Sequence, residues 1–365
     1  MRVCIFGTFD PGRQPRVTTI EDGLRSAGVD TVRCNAPWNA PTDVRVAALR
    51  RPHLLVGLAV RLVVAWLRLV VGRRRVGRVD VVVVGYLGIL DVHLARFLWP
   101  RAVVVLDHMA PAAGIIADRH TSLGPWSRIA GWLDRAATRR SDIVIVDTEE
   151  HVERRDRGWV VVPVGAAWSW FQARATPQRS SDRPLRVVFF GLFTPLQGAR
   201  TIAEALRDVL DDSLGIKVTM IGHGQDLAAC LDILGDRRDI AWRHWVEAEQ
   251  LPALVASHDV CLGIFGDTPK ALRVVPNKVF QGAAAGCALV TSDTPPQRRT
   301  LGEAALFVPP GDAPALADAV RQLEYDRALL SEMRRRAGEV ADSDFRAETI
   351  VAPLLGRLGQ AVDDR

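Results

Sequence analysis

Short apolar runs separated by helix-length amphipathic stretches recur along the whole chain, the pattern of parallel strands covered by helices on both faces. In the first half the runs are 2-RVCIFG-7, 79-VDVVVVGY-86, 102-AVVVLDH-108, 143-IVIVDT-148 and 159-WVVVPVG-165. In the second they are 186-RVVFFG-191, 216-IKVTMIG-222, 258-HDVCLGIF-265, 287-CALVTSD-293 and 305-ALFVPPG-311. Several end in Gly or Asp, at the carboxyl edge where open α/β sheets take their ligands. Between the two series lies 172-QARATPQRSSDRP-184, polar and rich in Ser, Pro and Arg, which reads as a linker. The pattern predicts an α/β chain with doubly wound domains over 1–171 and 185–344.

One segment breaks the alternation. Residues 54-LLVGLAVRLVVAWLRLVV-71 are apolar except for Arg61 and Arg68. Seven residues apart on a helix, these arginines lie within about 20° of one another. Spanning a bilayer would carry both into hydrocarbon at roughly 2.5–3.5 kcal/mol each. An interfacial helix fits better, with 45-RVAALRRP-52 before it and 72-GRRRVGR-78 after it as basic flanks for anionic lipid. A core helix whose arginines face solvent is the competing reading.

Length and composition set the frame. The 365 residues fit two domains, and 48% hydrophobic with 24% charged residues describes globular cores. The five cysteines are scattered through apolar runs, which suggests a reducing compartment and neither zinc nor disulfides. Met1 leads straight into a strand, so a cytoplasmic location is expected, with possible attachment to the inner face of the membrane left to the basic helix. The net charge of +5 divides unevenly: residues 1–180 carry 26 Arg and no Lys against 16 acidic residues, while the remainder carries 21 basic against 26 acidic. A basic first half suits an anionic or lipid-linked partner. Nucleic acid is not expected, because the arginines are dispersed and no binding module accompanies them.

Only three of the 47 basic residues are lysines, and two of them, Lys270 and Lys278, fall in 263-GIFGDTPKALRVVPNKVFQGAAAG-286. An apolar strand there runs through a Gly- and Pro-containing loop into a helix that starts near Pro276. The free N–H groups of a helix start favour an anion, and a lysine in the first turn opposes the helix dipole unless an anion is bound. Lys278 is therefore a candidate phosphate ligand; a solvated surface lysine is the plainer alternative.

From Arg186 to about Leu323 the motifs run in a fixed order: a strand ending in Gly191, the 194-TPLQG-198 loop, a strand ending 221-IGHG-224, then 244-HWVEAEQLPALVASHDV-260. After these come the proline–asparagine–lysine helix, 287-CALVTSDTP-295 and 308-VPPGDAPALADAV-320. This order resembles the donor domain of glycosyltransferase family 4, and 133-LDRAATRRSDIVIVDTEEH-151 with 160-VVVPVGAAWSWF-171 extends the likeness into the first half. The resemblance implies a GT-B fold, two facing Rossmann-like domains with parallel sheets and a deep interdomain cleft, with a C-terminal helix over about 345–365 packing back on the first domain. It also implies a retaining hexosyltransferase that moves a sugar from a nucleotide diphosphate sugar, a UDP-sugar foremost, to a hydroxyl acceptor, with no metal and no other cofactor.

The carry-over is partial. Where the family has Arg and Lys on the diphosphate this chain has Leu192 and Gln197, and the two glutamates seven residues apart fall on Arg273 and Gln281. The resemblance then implies donor contacts from Gly191, Thr194, Gln197, Gly222, Gly224, Trp245, Val246, Pro276, Asn277 and Gln281. Arg273 and Lys278 would take over neutralisation of the leaving diphosphate. In the first half His108 would bond a sugar hydroxyl, or be structural, with Asp107 fixing its orientation or contacting the acceptor. Gly7, Arg13, Arg16, Tyr86 and His93 are the candidate acceptor contacts; Asp134 is expected in a structural ion pair with Arg135. An inert nucleotide- or sugar-binding homologue and a sugar-nucleotide epimerase or hydrolase remain as alternatives.

Overall fold

The computed structural model describes residues 1–12, 14–38, 52–86, 88–109, 124–153, 158–174, 183–212 and 215–363. They form two compact units, Met1–Pro163 with Ile350–Arg365, and Val164–Thr349. The crossing from one unit to the next falls at Pro163–Val164, ahead of the 172–184 segment read as the linker, part of which (175–182) lies outside the described residues.

Unit 1 carries a six-stranded sheet in the order β2-β1-β3-β4-β5-β6: β1 Arg2–Gly7, β2 Asp30–Asn35, β3 Val81–Val84, β4 Val103–Asp107, β5 Ile143–Val146 and β6 Trp159–Val161. Every pairing is parallel. Alternate residues supply two separate cores, as the two-residue period of a strand requires. Val3, Ile5, Val81, Val83, Val103 and Val105 pack on one face, with Leu354 and Leu358 of the Ala352–Asp363 helix. Cys4, Phe6, Val82, Val84, Val104 and Leu106 pack on the other.

Unit 2 repeats the plan with β12-β11-β10-β7-β8-β9: β7 Leu185–Phe190, β8 Ile216–Ile221, β9 Ile240–Arg243, β10 Val260–Leu262, β11 Ala288–Ser292 and β12 Leu306–Val308. The strands after β7 run first to one side and then to the other, so the chain changes direction between β7 and β10, the place where a doubly wound sheet opens a ligand crevice at its carboxyl edge. In unit 1 the corresponding place lies between β1 and β3.

Two strands were not legible as apolar runs, β2 (DTVRCN) and β9 (IAWR). Both are edge strands with one neighbour, and only Cys34 and Ile240 of their residues are fully buried, so the sequence carries little apolar signal.

The apolar 54–71 segment lies within a single 25-residue helix, Pro52–Val76. It buries Leu58, Ala65, Leu69 and Val76, whereas Arg61 and Arg68 are exposed. Residues 45–51 of the basic flank lie outside the described residues. No helix among the described residues is long and apolar enough to cross a membrane.

Candidate functional site

The carboxyl edge of β7 and β10 assembles most of the candidate donor residues. Strand β7 ends at Gly191, which is exposed and has φ +140°. The chain then passes Thr194 into the short 3-10 turn Pro195–Gln197, and Gly198 opens the Ala199–Asp212 helix in a left-handed conformation (φ 67°). The Gln197 carbonyl accepts from Phe265 N–H at 3.1 Å, which ties this loop to the segment after β10. From there the chain makes the Ala271–Arg273 turn and enters the Asn277–Ala284 helix behind Pro276, whose extended backbone (ψ 150°) ends the loop.

Lys278 sits in the first turn of that helix and is only 4% exposed, which removes the surface-lysine alternative. Its Nζ donates to Gln197 Oε1 at 2.6 Å and lies 3.7 Å from the ring centroid of Phe189. A Cβ built on Gly191 would stand 3.1 Å from the same Nζ, so the glycine leaves the ammonium an opening that any other residue would fill. Burial pulls the Lys278 pKa from 10.5 down to about 7. An ammonium has three donors, and among the described residues Gln197 is the one hydrogen-bond partner of this one. Lys278 thus lies buried beside a helix start with a neutral partner and, among the described residues, no carboxylate, and in its charged form it could take an anion.

The other candidates take different positions. Asn277 and Gln281 are half-buried on the Lys278 helix, on one face four residues apart, and Pro276 is half-buried ahead of them. Arg273 closes its 3-10 turn and is exposed. Gly222 and Gly224 have packing reasons of their own. A Cβ on Gly222 would fall 1.9 Å from the Gly191 carbonyl oxygen, and one on Gly224 2.3 Å from that of Phe193. Trp245, 59% exposed, and half-buried Val246 follow β9. Beside them the exposed rings of His223 and His244 stack at 5.2 Å, a pair the sequence reading missed. Its signal was one histidine next to a strand-ending glycine and another next to Trp245.

In unit 1 the candidates form a buried polar cluster whose pairing differs from the expectation. Arg16, in the first turn of the Pro15–Ser26 helix, is 2% exposed, and its Nε donates to both carboxylate oxygens of Asp107 at 3.1 Å. Asp107 therefore pairs with Arg16 and not with His108, and the pair engages only Nε: Arg16 Nη1 and Nη2 are buried with no hydrogen-bond partner among the described residues. Burial pushes the Asp107 carboxyl up while Arg16 opposes the shift. Asp134 Oδ1 lies 3.7 Å from His108 Nε2, Glu153 and Asp147 also act on this histidine, and no ion pair joins Asp134 to Arg135 among the described residues. Burial lowers the His108 pKa to about 4, so at neutral pH its ring is an uncharged hydrogen-bonding group.

Gly7 ends β1 at φ +138°, 3.0 Å by its built Cβ from Asp91 Oδ2. That oxygen accepts from the backbone N–H and hydroxyl of Thr8 at 2.7 and 2.8 Å, and Oδ1 accepts from Trp66 Nε1 at 2.8 Å, a lock on the strand end. Tyr86 is half-buried against the unit 1 core. His93 lies on the Asp91–Leu98 helix, where burial and then Arg140 lower its pKa. Arg13 lies outside the described residues. Among the described residues no cluster of His, Cys, Asp and Glu could hold a metal ion.

Residues 184–326 match the family model for glycosyl transferases group 1. The chain is 25% identical over 279 residues to a lipopolysaccharide core biosynthesis glycosyltransferase, LpsE, of Rhizobium meliloti, covering 72% of this chain and 77% of that one. Among solved structures, sucrose-phosphate synthase from Thermosynechococcus elongatus superposes with a TM-score of 0.70 at 17% identity, covering 100% of this chain and 99% of the other. Anabaena HepE in complex with UDP and glucose superposes at 0.66 with 14% identity, over 99% of this chain and 100% of that one. An E. coli trehalose-6-phosphate protein bound with UDP-2-fluoro glucose gives 0.67 at 13% identity over 98% and 99%. These likenesses give the two-sheet GT-B fold.

Proposed function

We propose that this chain, a glycosyltransferase of the group 1 family with its family domain at residues 184–326, is a retaining hexosyltransferase that uses a UDP-sugar. The observation that carries the reading is the buried Lys278 ammonium beside open Gly191 at the carboxyl edge of β7 and β10. The donor's diphosphate would lie against Lys278 Nζ and the N–H groups at the start of the Ala199–Asp212 helix, with Gln197 holding the lysine in place. As the bond from the sugar C1 to the β-phosphate oxygen breaks, negative charge grows on the diphosphate, and a cation in a desolvated site stabilises that charge most in the transition state. The acceptor oxygen bonds to C1 on the face the phosphate leaves, and its proton passes to the departing phosphate oxygen. No protein nucleophile and no metal is called for in this scheme. Gln281 and Asn277 are assigned to the ribose, and Trp245 and Val246 with the stacked His223 and His244 to the base. Arg273 is assigned to the donor phosphates from the exposed turn it closes.

Unit 1 is assigned a hydroxyl acceptor, anionic or lipid-linked in keeping with the +10 charge of residues 1–180, and the reading places the enzyme in the cytoplasm. Support for UDP comes from the relatives: HepE and the E. coli protein were solved with UDP or a UDP-sugar derivative. Calorimetric titration with UDP, GDP, ADP and dTDP tests the donor reading, with UDP expected to bind most tightly. Retention is tested by proton NMR during slow hydrolysis of the bound α-linked UDP-sugar, where the α anomer should appear first. A protein that binds none of the four nucleotides would be an inert homologue. His244→Ala should weaken UDP by about fivefold, the scale of one lost aromatic stacking contact; an unchanged affinity would remove the histidine pair from the base site.

A further inference from the structure

We infer that the outer face of the Pro52–Val76 helix docks unit 1 on the surface of an anionic lipid bilayer. A 25-residue helix is about 37 Å long and advances 100° per residue. On it, Val56, Val60, Val63, Leu67, Val70 and Val71 fall in one arc centred on Leu67, and all six are exposed, from 39% for Val70 to 66% for Val56. Leu58, Ala65, Leu69 and Val76 lie on the opposite side and are buried in unit 1. The helix therefore satisfies its own fold with one stripe and presents a second apolar stripe to water. An apolar face of this size is costly without a partner.

Charge identifies the partner. Arg61, Arg68 and Arg75, seven residues apart, make an exposed row along one border of the apolar arc, and none is in an ion pair among the described residues. Arg74 and Arg78 extend the basic end, and residues 52–78 contain no acidic residue. Leu67 and Val71, together with Arg68 and Arg75, also line an open groove of about 560 Å³ against the edge strand β2. Apolar side chains beside unpaired guanidiniums match acyl chains beneath anionic headgroups. A second copy of the chain fits less well, since an antiparallel two-fold pairing of this helix would set the arginine row against a like row. The inference uses only unit 1 and is independent of the donor reading.

Sedimentation of the full chain with vesicles of phosphatidylcholine, alone or with an equal part of phosphatidylglycerol, tests it. Binding should require the anionic lipid and fall as salt is raised. Leu67→Glu should weaken it about tenfold or more, and a paired Arg61→Gln and Arg68→Gln variant should weaken binding to the anionic vesicles by a similar factor. The circular dichroism spectrum and melting temperature without vesicles should match wild type in both variants, which separates a lost docking face from a lost fold. Should the glutamate variant not fold, Leu67→Ser serves at the same exposed position. Equal sedimentation of wild type and Leu67→Glu overturns the inference. So does a concentration-dependent dimer that Leu67→Glu converts to monomer without any vesicle binding.

Discussion

Replacing Lys278 with methionine should abolish the thermal stabilisation that UDP gives and lower kcat/KM by about 10²–10³, the scale of losing one preorganised charge at a transition-state anion. UDP affinity itself should fall about 10–100-fold, as for a lost charge-assisted hydrogen bond. Methionine keeps the length and apolar stem of the side chain, so the Phe189 contact survives while the charge is removed. The unliganded variant should melt no lower than wild type, because a buried ammonium with one neutral partner costs stability until its anion arrives. A lysine held for structural reasons would give the opposite result, a lower melting temperature with little change in UDP binding.

The depressed pKa adds a pH signature. Lys278 goes from 10.5 in the unfolded chain to about 7 in the folded one, so between those values the unfolded state holds the extra proton. Stability of the unliganded protein therefore gains a contribution as pH rises from about 7 towards 10.5, and below about 7 the cost of the buried charge is paid in full. Binding runs the other way: UDP needs the charged lysine, so affinity should fall as pH rises above 7. Calorimetry across this range on wild type and Lys278→Met measures both slopes, and parallel curves for the two proteins would remove Lys278 from the site.

Most of the sheet framework was legible because buried parallel strands are apolar on both faces, as in 81-VVVV-84 and 187-VVFF-190. The edge strands β2 and β9 escaped for the converse reason. The position of Lys278 at a helix start was legible from Pro276 and the strand before it, but its burial was not. Sequence shows that a lysine lies in the first turn; only the fold shows Phe189 and Gln197 closing over it. Side-chain pairing was the least legible level. Arg16 and Asp107 are 91 residues apart and were assigned to different roles, yet one buried ion pair joins them. Nothing in the local sequence of either residue specifies the other, since the parallel order β1-β3-β4 brings them together.

The largest expected effect on unit 2 as a folded body comes from one methyl group. Gly222→Ala should destabilise it by about 3 kcal/mol or more and with that remove UDP binding. At φ +132° the backbone is one that an L side chain rarely adopts, and the added Cβ would fall 1.9 Å from the Gly191 carbonyl oxygen, a backbone atom with no rotamer to yield. Relief requires the ends of β7 and β8 to part. That would break the Gly191 N–H to Ile221 carbonyl bond (3.0 Å) and the Phe193 N–H to His223 carbonyl bond (2.9 Å), and carry Gly191 away from Lys278. Gly302→Ala supplies the matched comparison. It too has positive φ, 53°, but a Cβ there meets nothing within 4 Å, so only the conformational cost of roughly 1–2 kcal/mol applies. Chemical denaturation of the two variants beside wild type isolates the close approach from the backbone preference. Equal losses would mean that the β7–β8 ends can separate freely, and the loop holding the Lys278 opening would then be softer than its hydrogen bonds imply.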